Sequence, residues 1–206
     1  MNGLEVTILD GGHGNLASVA NAMHALGASA VVSRDPEAVR GASVLIFPGQ
    51  GAAPRAMRSL KASGLDVAFA AAVRVGVPTL GICLGMQLAL EDTVEGPTDC
   101  LGLVRGHSAR FKPSNPRDKV PQIGWNSVRH ANDPIFAGVE QGSYFYFVHS
   151  YYCEPEPAAA IGWTNYGIEY CSVLRRGRFW ATQFHPEKSG RTGLKLLANF
   201  LELAKC

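Results

Sequence analysis

Four consecutive apolar residues, Val-Leu-Ile-Phe at positions 44–47, are the feature that most restricts the fold of this chain. A strand with one solvent-exposed face alternates apolar and polar residues. A run without any polar residue therefore belongs in the middle of a parallel sheet, where both faces are buried. Further strands are predicted at residues 4–9, 30–32 and 77–80, and helices at residues 16–26, 54–60 and 65–73. Alternating strands and helices form βαβ units, so the first half predicts an open, mostly parallel sheet flanked by helices.

The second half of the chain shows short strands separated by turns. They are predicted at residues 103–111, 127–130, 144–152, 160–163, 171–175 and 179–184. Strands joined by a tight turn such as Arg176-Gly177-Arg178 run antiparallel, so we expect an antiparallel or mixed extension of the sheet. A closing helix begins at Ser189-Gly190. With 47% hydrophobic residues among 206, the chain can form a full core, and we predict one α/β domain over residues 1–206.

The composition gives no indication of a nucleic-acid or membrane partner. The formal net charge is +2, 17% of the residues are charged, and Arg74, Pro78 and Gln87 interrupt the most apolar stretch. The first residues have a strand pattern and lack the features of a signal peptide. The five cysteines are odd in number and contain no C-x-x-C pair, which argues against a disulfide framework and a zinc site. We therefore expect a cytoplasmic protein without a metal or a cofactor.

Cys83 lies in the sequence Gly81-Ile82-Cys83-Leu84-Gly85, between a short apolar strand and a helical pattern. Small residues two positions before and after the cysteine let strand and helix approach closely. The turn between them holds the cysteine in a strained, exposed position. Free N–H groups at the start of the helix favour the thiolate form of the sulfur. The segment therefore predicts a nucleophilic cysteine.

His185 is the histidine best placed in the sequence to act as a base for Cys83. It follows the strand predicted at residues 179–184 and precedes Pro186 and Glu187. The two-residue period of a strand places His185 and Glu187 on the same side, where the carboxylate can accept the imidazole N–H and orient the ring. Alone, this tripeptide is more often a surface histidine beside a glutamate, but together with the cysteine motif it favours catalysis.

Attack by a cysteine on a carbonyl creates an oxyanion, which needs backbone N–H donors. The N–H of Leu84, the residue after the nucleophile, is one candidate. The second is expected from the loop after the apolar strand, where Gly49, Gln50 and Gly51 allow a close approach of backbone to substrate. An ordinary strand-to-helix turn has the same composition, so both interpretations of this loop stay open at this point.

Three motifs together resemble the class I (triad) glutamine amidotransferases, and the resemblance covers nearly the whole chain. They are Gly-Ile-Cys-Leu-Gly-Met-Gln, Pro-Gly-Gln-Gly and Gln-Phe-His-Pro-Glu-Lys. The resemblance implies that Cys83 attacks the side-chain amide of glutamine and forms a γ-glutamyl thioester. It implies that His185, oriented by Glu187, transfers the protons, and that the N–H groups of Leu84 and Gln50 hold the oxyanion.

The same resemblance implies a glutamine pocket. Its residues in this chain are Gly51, Gln87, Glu95, Ser150 and Tyr151. Glu95 suits the ammonium group of glutamine, and backbone groups at Ser150 and Tyr151 suit its carboxylate. A solvated helix residue and a surface charge are the alternative interpretations of Gln87 and Glu95.

Three further segments resemble the members of the family that act in histidine biosynthesis. They are Gly12-His13-Gly14-Asn15-Leu16, the stretch Lys-Val-Pro-Gln-Ile-Gly-Trp-Asn at residues 119–126, and Tyr-Phe-Val-His-Ser-Tyr at residues 146–151. This implies a heterodimer with a (βα)8-barrel cyclase that receives ammonia directly. The implied contacts with the cyclase are Asn15, Trp125, Tyr146 and Lys188. The chain has Gln122 and Gln50 where such members commonly have histidine and valine.

Two other interpretations fit the motifs. One is another triad glutaminase, such as the partner of pyridoxal phosphate synthase or of anthranilate synthase, against which the segments 119–126 and 146–151 stand. The other is a non-catalytic regulatory subunit of the same fold. The presence of Cys83, His185 and Glu187 together argues against that second alternative.

Overall fold

A computed structural model describes residues 4–12, 14–112 and 119–206 of the chain. His13, part of one of the segments considered above, lies outside the described residues. Within these ranges the α-helices are α1 Leu16–Ala25, α2 Pro36–Arg40, α3 Ala53–Ser63, α4 Leu65–Arg74, α5 Leu84–Gln87 and α6 Gly190–Ala204. The strands are β1 Glu5–Leu9, β2 Ser29–Ser33, β3 Leu45–Gly49, β4 Thr79–Cys83, β5 Asp92–Thr93, β6 Thr98–Asp99, β7 Gly106–Arg110, β8 Gln122–His130, β9 Ser143–His149, β10 Tyr151–Pro155, β11 Ala160–Asn165, β12 Glu169–Arg176 and β13 Phe179–Thr182. Short 3₁₀ helices occupy Pro134–Phe136, Pro157–Ala159 and Pro186–Lys188.

The described strands belong to one mixed sheet. Its main path runs β2-β1-β3-β4-β13-β12-β10-β7-β5-β6. The pairs β2–β1, β1–β3, β3–β4 and β4–β13 are parallel. The pairs β13–β12, β12–β10 and β10–β7 are antiparallel. Strand β11 joins β12 to β8, and β8 pairs with β9 in a ribbon beside the main path. The predicted parallel sheet with a mixed extension is confirmed.

The apolar run at residues 44–47 lies in β3, at the centre of the parallel part. Every residue of β3 is buried. Ile46 packs with α1 and α6 on one face, whereas Leu45 and Phe47 pack with α3 and α4 on the other. Burial on both faces is the reason this strand carries no polar residue, and the sheet is the middle layer of three.

Helix α2 was not predicted from the sequence. Asp35 caps its N-terminus, accepting a hydrogen bond from the backbone N–H of Glu37 at 2.9 Å, and Pro36 occupies the first turn. An Asp-Pro start is a recognised helix signal, but five residues with Val39 as the sole buried side chain are too short for a helical pattern to stand out.

The prediction of a single strand at residues 144–152 is wrong, because the backbone changes its neighbouring strands at Ser150. Strand β9 before it pairs with β8, whereas β10 after it pairs with β7 and β12. The carbonyl of Ser150 accepts a hydrogen bond from the N–H of Phe111 at 3.1 Å, on the side of the new partner. A continuous run of aromatic and β-branched residues does not reveal such a change of partner.

Helix α6 closes the fold against one face of the sheet. Its buried residues include Leu196, Leu197, Phe200 and Leu201, and Phe200 makes an edge contact with Trp180 at 6.1 Å between ring centres. This confirms the predicted closing helix. None of the helices in the described part of the chain combines the length and apolarity that crossing a bilayer requires.

Candidate active site

Cys83 occupies a strained turn at the carboxyl end of β4, in the centre of the parallel sheet. Its backbone angles are φ 54° and ψ −107°, and it is the one non-glycine residue with positive φ in the described ranges. Such a conformation costs about 1–3 kcal/mol and persists where the surrounding structure enforces it. Because ligands bind at the carboxyl ends of parallel strands, the strain lies where chemistry is expected.

Three glycines make this turn possible. A Cβ atom on Gly85 would lie 2.0 Å from the carbonyl oxygen of Phe47, and one on Gly49 would lie 2.8 Å from the Cβ of Leu84. At Gly81 a Cβ would lie 3.0 Å from Ala181 Cβ and 3.1 Å from the carbonyl oxygen of Gly85. The turn after Cys83 therefore packs directly on the backbone of β3, and larger side chains would separate the two.

We expect Gly85→Ala to lower the free energy of unfolding by about 3 kcal/mol or more, because the new methyl group would overlap a backbone atom that cannot move independently. Urea denaturation measures this difference. Gly11→Ala is the matched control, since Gly11 is also buried but its Cβ would meet the nearest atom at 3.5 Å. A loss for Gly85→Ala no larger than that for the control would contradict the prediction.

Two expectations for this segment are wrong. Cys83 is buried, with 6% of its surface accessible, rather than exposed. The helix after it, α5, has only four residues, although the apolar pattern continues to Leu90. The reason is that the carbonyls of Leu88, Ala89 and Leu90 accept hydrogen bonds from the N–H groups of residues 101–104 and so leave the helix.

His185 and Glu187 form a buried pair. His185 Nδ1 lies 2.9 Å from Glu187 Oε1, and their side chains are 2% and 1% exposed. His185 and Glu187 lie close together, as expected. The two-residue period of a strand does not explain this, because β13 already ends at Thr182. The 3₁₀ turn Pro186–Lys188 brings the carboxylate back to the ring instead.

The free nitrogen of this pair is oriented by the backbone around it. The N–H of His185 donates to the carbonyl of Tyr146 at 2.9 Å, and Ser189 Oγ donates to the carbonyl of His185 at 2.6 Å. Within the described residues, neither His185 Nε2 nor Glu187 Oε2 has a hydrogen-bond partner of normal geometry, although both are buried. An unpartnered buried nitrogen of this kind is available for proton transfer.

The charge balance around His185 favours its protonated form. Burial by itself lowers the pKa of His185, but the Cys83 sulfur and the Glu187 carboxylate outweigh it and hold that pKa well above its ordinary value. An imidazolium beside Cys83 in turn stabilises a thiolate. The His185–Glu187 pair can therefore supply a proton to a group bound beside Cys83.

A cavity of about 420 Å³ brings these groups together. It is lined by Gln50, Gly51, Cys83, Leu84, Gln87, Glu95, Pro121, Tyr146, Val148, His149, Ser150, Tyr151, His185 and Lys188. The lining includes every residue expected in a glutamine pocket, together with Tyr146 and Lys188, which were expected at a partner surface. The size suits a small-molecule substrate.

The remaining candidate residues lie outside the cavity lining. Gly49 ends β3 opposite Cys83 in the register, and Glu187 contacts His185. Asn15 caps α1, its Oδ1 accepting from the N–H of Ser18 at 3.2 Å. Trp125 is 56% exposed and meets Tyr146 edge-on at 6.2 Å between ring centres.

Gln87 and Glu95 are both held by the protein and each keeps one oxygen free of these contacts. Gln87 Nε2 donates to the carbonyl of Tyr151 at 3.0 Å and to Gln183 Oε1 at 3.1 Å. Glu95 Oε2 accepts from the N–H of Ala53 at 2.8 Å, at the start of α3. The side chains are therefore fixed before a ligand arrives, and each can present an acceptor to the cavity.

The sequence did not predict a polar cluster of His149, Tyr170 and Gln122 at the cavity, in which His149 belongs to the lining. His149 Nδ1 lies 2.8 Å from the carbonyl of Tyr151, and its Nε2 lies 3.2 Å from the Tyr170 hydroxyl, which also contacts Gln122 at 3.0 Å. Burial lowers the pKa of His149 to about 4, so this ring is neutral near pH 7. The motif at residues 146–151 includes His149 and could have drawn attention to it. Its hydrogen-bond partners, however, become visible only in the folded structure.

The fold and the site define a glutamine amidotransferase. The family described as Glutamine amidotransferase class-I matches residues 7–204, and the chain belongs to this family. Solved structures with the same fold include a glutamine amidotransferase from Thermotoga maritima, with a TM-score of 0.70, 17% identity and coverage of 99% of both chains. Another is PurLQS from the same organism, with a TM-score of 0.76, 16% identity and coverage of 98% of this chain and 99% of the other.

Within the class, the chain is similar along nearly its whole length to proteins named imidazole glycerol phosphate synthase subunit HisH. It is 45% identical over 202 residues to the HisH subunit of Dehalococcoides mccartyi strain CBDB1, covering 97% of each chain. It is 49% identical over 198 residues to that of Symbiobacterium thermophilum, covering 95% of this chain and 92% of the relative. It is 43% identical over 206 residues to that of Desulfovibrio desulfuricans, covering 97% and 95%.

Proposed function

We propose that this chain is the glutaminase subunit of an imidazole glycerol phosphate synthase. It hydrolyses L-glutamine to glutamate and ammonia and passes the ammonia to a (βα)8-barrel cyclase subunit in histidine biosynthesis. The observation that carries the chemistry is the convergence of Cys83 and the His185–Glu187 pair on one cavity. Identity of 43–49% to HisH subunits along nearly the whole chain supports the choice of synthase. The synthase acts in the cytoplasm, where cysteines stay reduced.

The first half of the reaction forms a thioester. The Cys83 thiolate attacks the amide carbon of the glutamine side chain, and the carbonyl electrons move to oxygen. The N–H groups of Leu84 and Gln50 hold that oxyanion, and Gly49 allows the two segments to lie close together. His185 Nε2 then gives its proton to the amide nitrogen, the C–N bond breaks, and ammonia leaves.

The second half returns the enzyme to its starting state. The now neutral His185 takes a proton from a water molecule, and the resulting hydroxide attacks the thioester carbon. The C–S bond breaks, glutamate is released, and Cys83 leaves as a thiolate beside the imidazolium. Glu187 stays ionised and stabilises the cationic ring in both halves, through the contact with Nδ1.

Fixed acceptors hold the amino-acid end of glutamine. The free oxygens of Gln87 and Glu95 accept from its ammonium group, since Gln87 Nε2 and Glu95 Oε2 already have hydrogen-bond partners in the protein. Backbone groups of Gly51, Ser150 and Tyr151 complete the pocket and face the carboxylate. Because these groups are held before binding, little ordering is needed when glutamine enters.

The cyclase docks on the outer face of the β8–β9 ribbon. Trp125 pairs with Tyr146 across the ribbon, and Ile123 pairs with Val148. Tyr146 and Val148 line the cavity, whereas Ile123 and Trp125 are 63% and 56% exposed. An exposed apolar face continuous with the cavity suits a partner that covers its opening and keeps ammonia from water. Asn15 and Lys188 extend this contact.

Reaction with a glutamine analogue that carries a diazoketone in place of the amide tests this proposal. We expect one analogue per chain on Cys83, because the reagent binds as glutamine and meets the thiolate, and we expect glutamine to slow the labelling. Peptide mass spectrometry of the complex with the cyclase locates the label. Cys206, which is exposed, reports non-specific reaction. Labelling mainly at another cysteine, or labelling that glutamine does not slow, would reject the assignment.

A further inference from the structure

We propose that Gln183 is a positioning residue for the nucleophile: its side-chain amide donates a hydrogen bond to the sulfur of Cys83 and holds it in the ionised, attacking position. This rests on the proposed role of Cys83 as the nucleophile. Gln183 lies two residues before His185 and is fully buried. Gln183 is not among the residues that line the cavity, so it acts on the site through its contact with Cys83.

The contacts of Gln183 join three parts of the site. Its Nε2 lies 3.7 Å from Cys83 Sγ, and its Oε1 accepts from Gln87 Nε2 at 3.1 Å. Its backbone N–H donates to the carbonyl of Ser172 at 2.8 Å, which anchors the residue to β12 beyond the end of β13. The side chain is therefore fixed at its base and at its tip.

The orientation of this amide follows from a carbonyl that can only accept. The carbonyl of Tyr151 lies 3.0 Å from the Gln87 amide, so the nitrogen of Gln87 must face it. The same nitrogen then presents its second hydrogen to Gln183, whose oxygen must therefore face Gln87. The Gln183 nitrogen is left facing the sulfur, and no alternative assignment of either amide preserves all three hydrogen bonds.

The N–H donor of Gln183 interacts differently with the thiol and the thiolate forms of Cys83. As a thiol, Cys83 can donate to the carbonyl of Val148, which lies 3.9 Å from Sγ. As a thiolate it has nothing to donate, and the oxygen of Val148 repels it, whereas the N–H of Gln183 attracts it more strongly. Gln183 therefore favours the thiolate, both before the attack and when sulfur leaves the thioester.

Rates of Cys83 alkylation by iodoacetamide between pH 5 and 9 test this directly, because the reagent reports the thiolate without glutamine hydrolysis. For Gln183→Met, similar in size but without a donor, we expect alkylation at pH 7 to be about tenfold slower. The pH midpoint of the rate should also be higher. For Gln183→Glu, which places a negative charge beside the sulfur, we expect a larger effect. Gln141→Met, at an exposed position, is the control and should match the wild type.

Glutaminase kinetics of the complex with the cyclase provide the second measurement. We expect Gln183→Met to lower kcat about tenfold through the loss of its contact with the sulfur. KM should rise by less than that, because Gln87 loses its contact with Gln183 but keeps its contact with the carbonyl of Tyr151. Alkylation profiles of Gln183→Met and wild type that superimpose would overturn the inference. Absence of glutaminase activity in the wild type would instead overturn the proposed function and leave the alkylation result standing.

A third measurement needs no substitution at Gln183 and covers the case in which its variants do not fold. In the NMR spectrum of the wild type, the side-chain N–H signals of Gln183 should shift with pH as Cys83 ionises. The same signals should not show this shift in Cys83→Ala. Signals that titrate identically in both proteins would contradict the proposed hydrogen bond.

Discussion

Replacement of Cys83 by alanine is expected to lower glutamine-dependent synthesis by the complex with the proposed cyclase partner by a factor of about 10⁴ or more. Alanine removes the sulfur that is proposed to form the thioester, and none of the described residues lining the cavity offers another thiol. Synthesis supplied with ammonium salts should continue near the wild-type rate, because the nucleophile acts only in the release of ammonia. Both rates are measured on the same preparation with the cyclase substrate.

Cys206→Ala is the matched control, since Cys206 is an exposed cysteine away from the cavity, and it should retain both activities. Equal losses of Cys83→Ala with glutamine and with ammonium salts would contradict the proposed role. That outcome would mean that Cys83 supports the structure of the complex rather than the cleavage of glutamine.

The second large effect is expected for Glu187→Gln, which should lower kcat for glutamine hydrolysis about 10³–10⁴-fold while leaving KM nearly unchanged. The amide has the shape of the carboxylate but no charge. It therefore no longer stabilises the imidazolium, and it can turn its NH₂ group toward Nδ1 and favour the wrong tautomer. The burial of both side chains makes the loss large, because solvent cannot replace the missing charge.

Glu202→Gln provides the comparison for this variant. Glu202 is also paired, with Lys205 at 2.7 Å, but both side chains are more than half exposed, so its loss should leave kcat unchanged. Steady-state glutaminase assays with the cyclase and its ligand measure both variants. A kcat for Glu187→Gln within threefold of the wild type would show that the carboxylate does not support the base.

The cysteine turn and the histidine–glutamate pair were predictable because each depends on residues adjacent in sequence. Gly81 and Gly85 stand two residues from Cys83, and their close packing on β3 and β13 is what the small side chains indicate. Pro186 separates His185 from Glu187 by a tight turn, whose length sets their distance. The first half of the sheet was predictable for the same reason, since unbroken apolar runs record burial on both faces.

The hydrogen bonds that join Gln183 to Gln87 were not predictable, because the residues involved come from separate strands and turns. Gln183, Gln87 and the carbonyl of Tyr151 meet only after β13, β4 and β10 are assembled in one sheet. The prediction that Cys83 is exposed is wrong for a related reason. A turn that is exposed on an isolated strand–helix unit becomes the floor of a cavity when β9 covers it, with Val148 above the sulfur.

Strand β9 does not tolerate insertions or deletions. The carbonyl of Tyr146 holds the N–H of His185, and the carbonyl of Val148 faces the sulfur of Cys83. Two residues of strand span about 6.7 Å, so one uninterrupted piece of backbone sets the separation of His185 and Cys83. Insertion or deletion of a single residue between these carbonyls would turn one of them to the opposite edge of the strand. Exposed side chains of the strand, such as Tyr144, can be exchanged freely by comparison, so variation here is confined to substitutions.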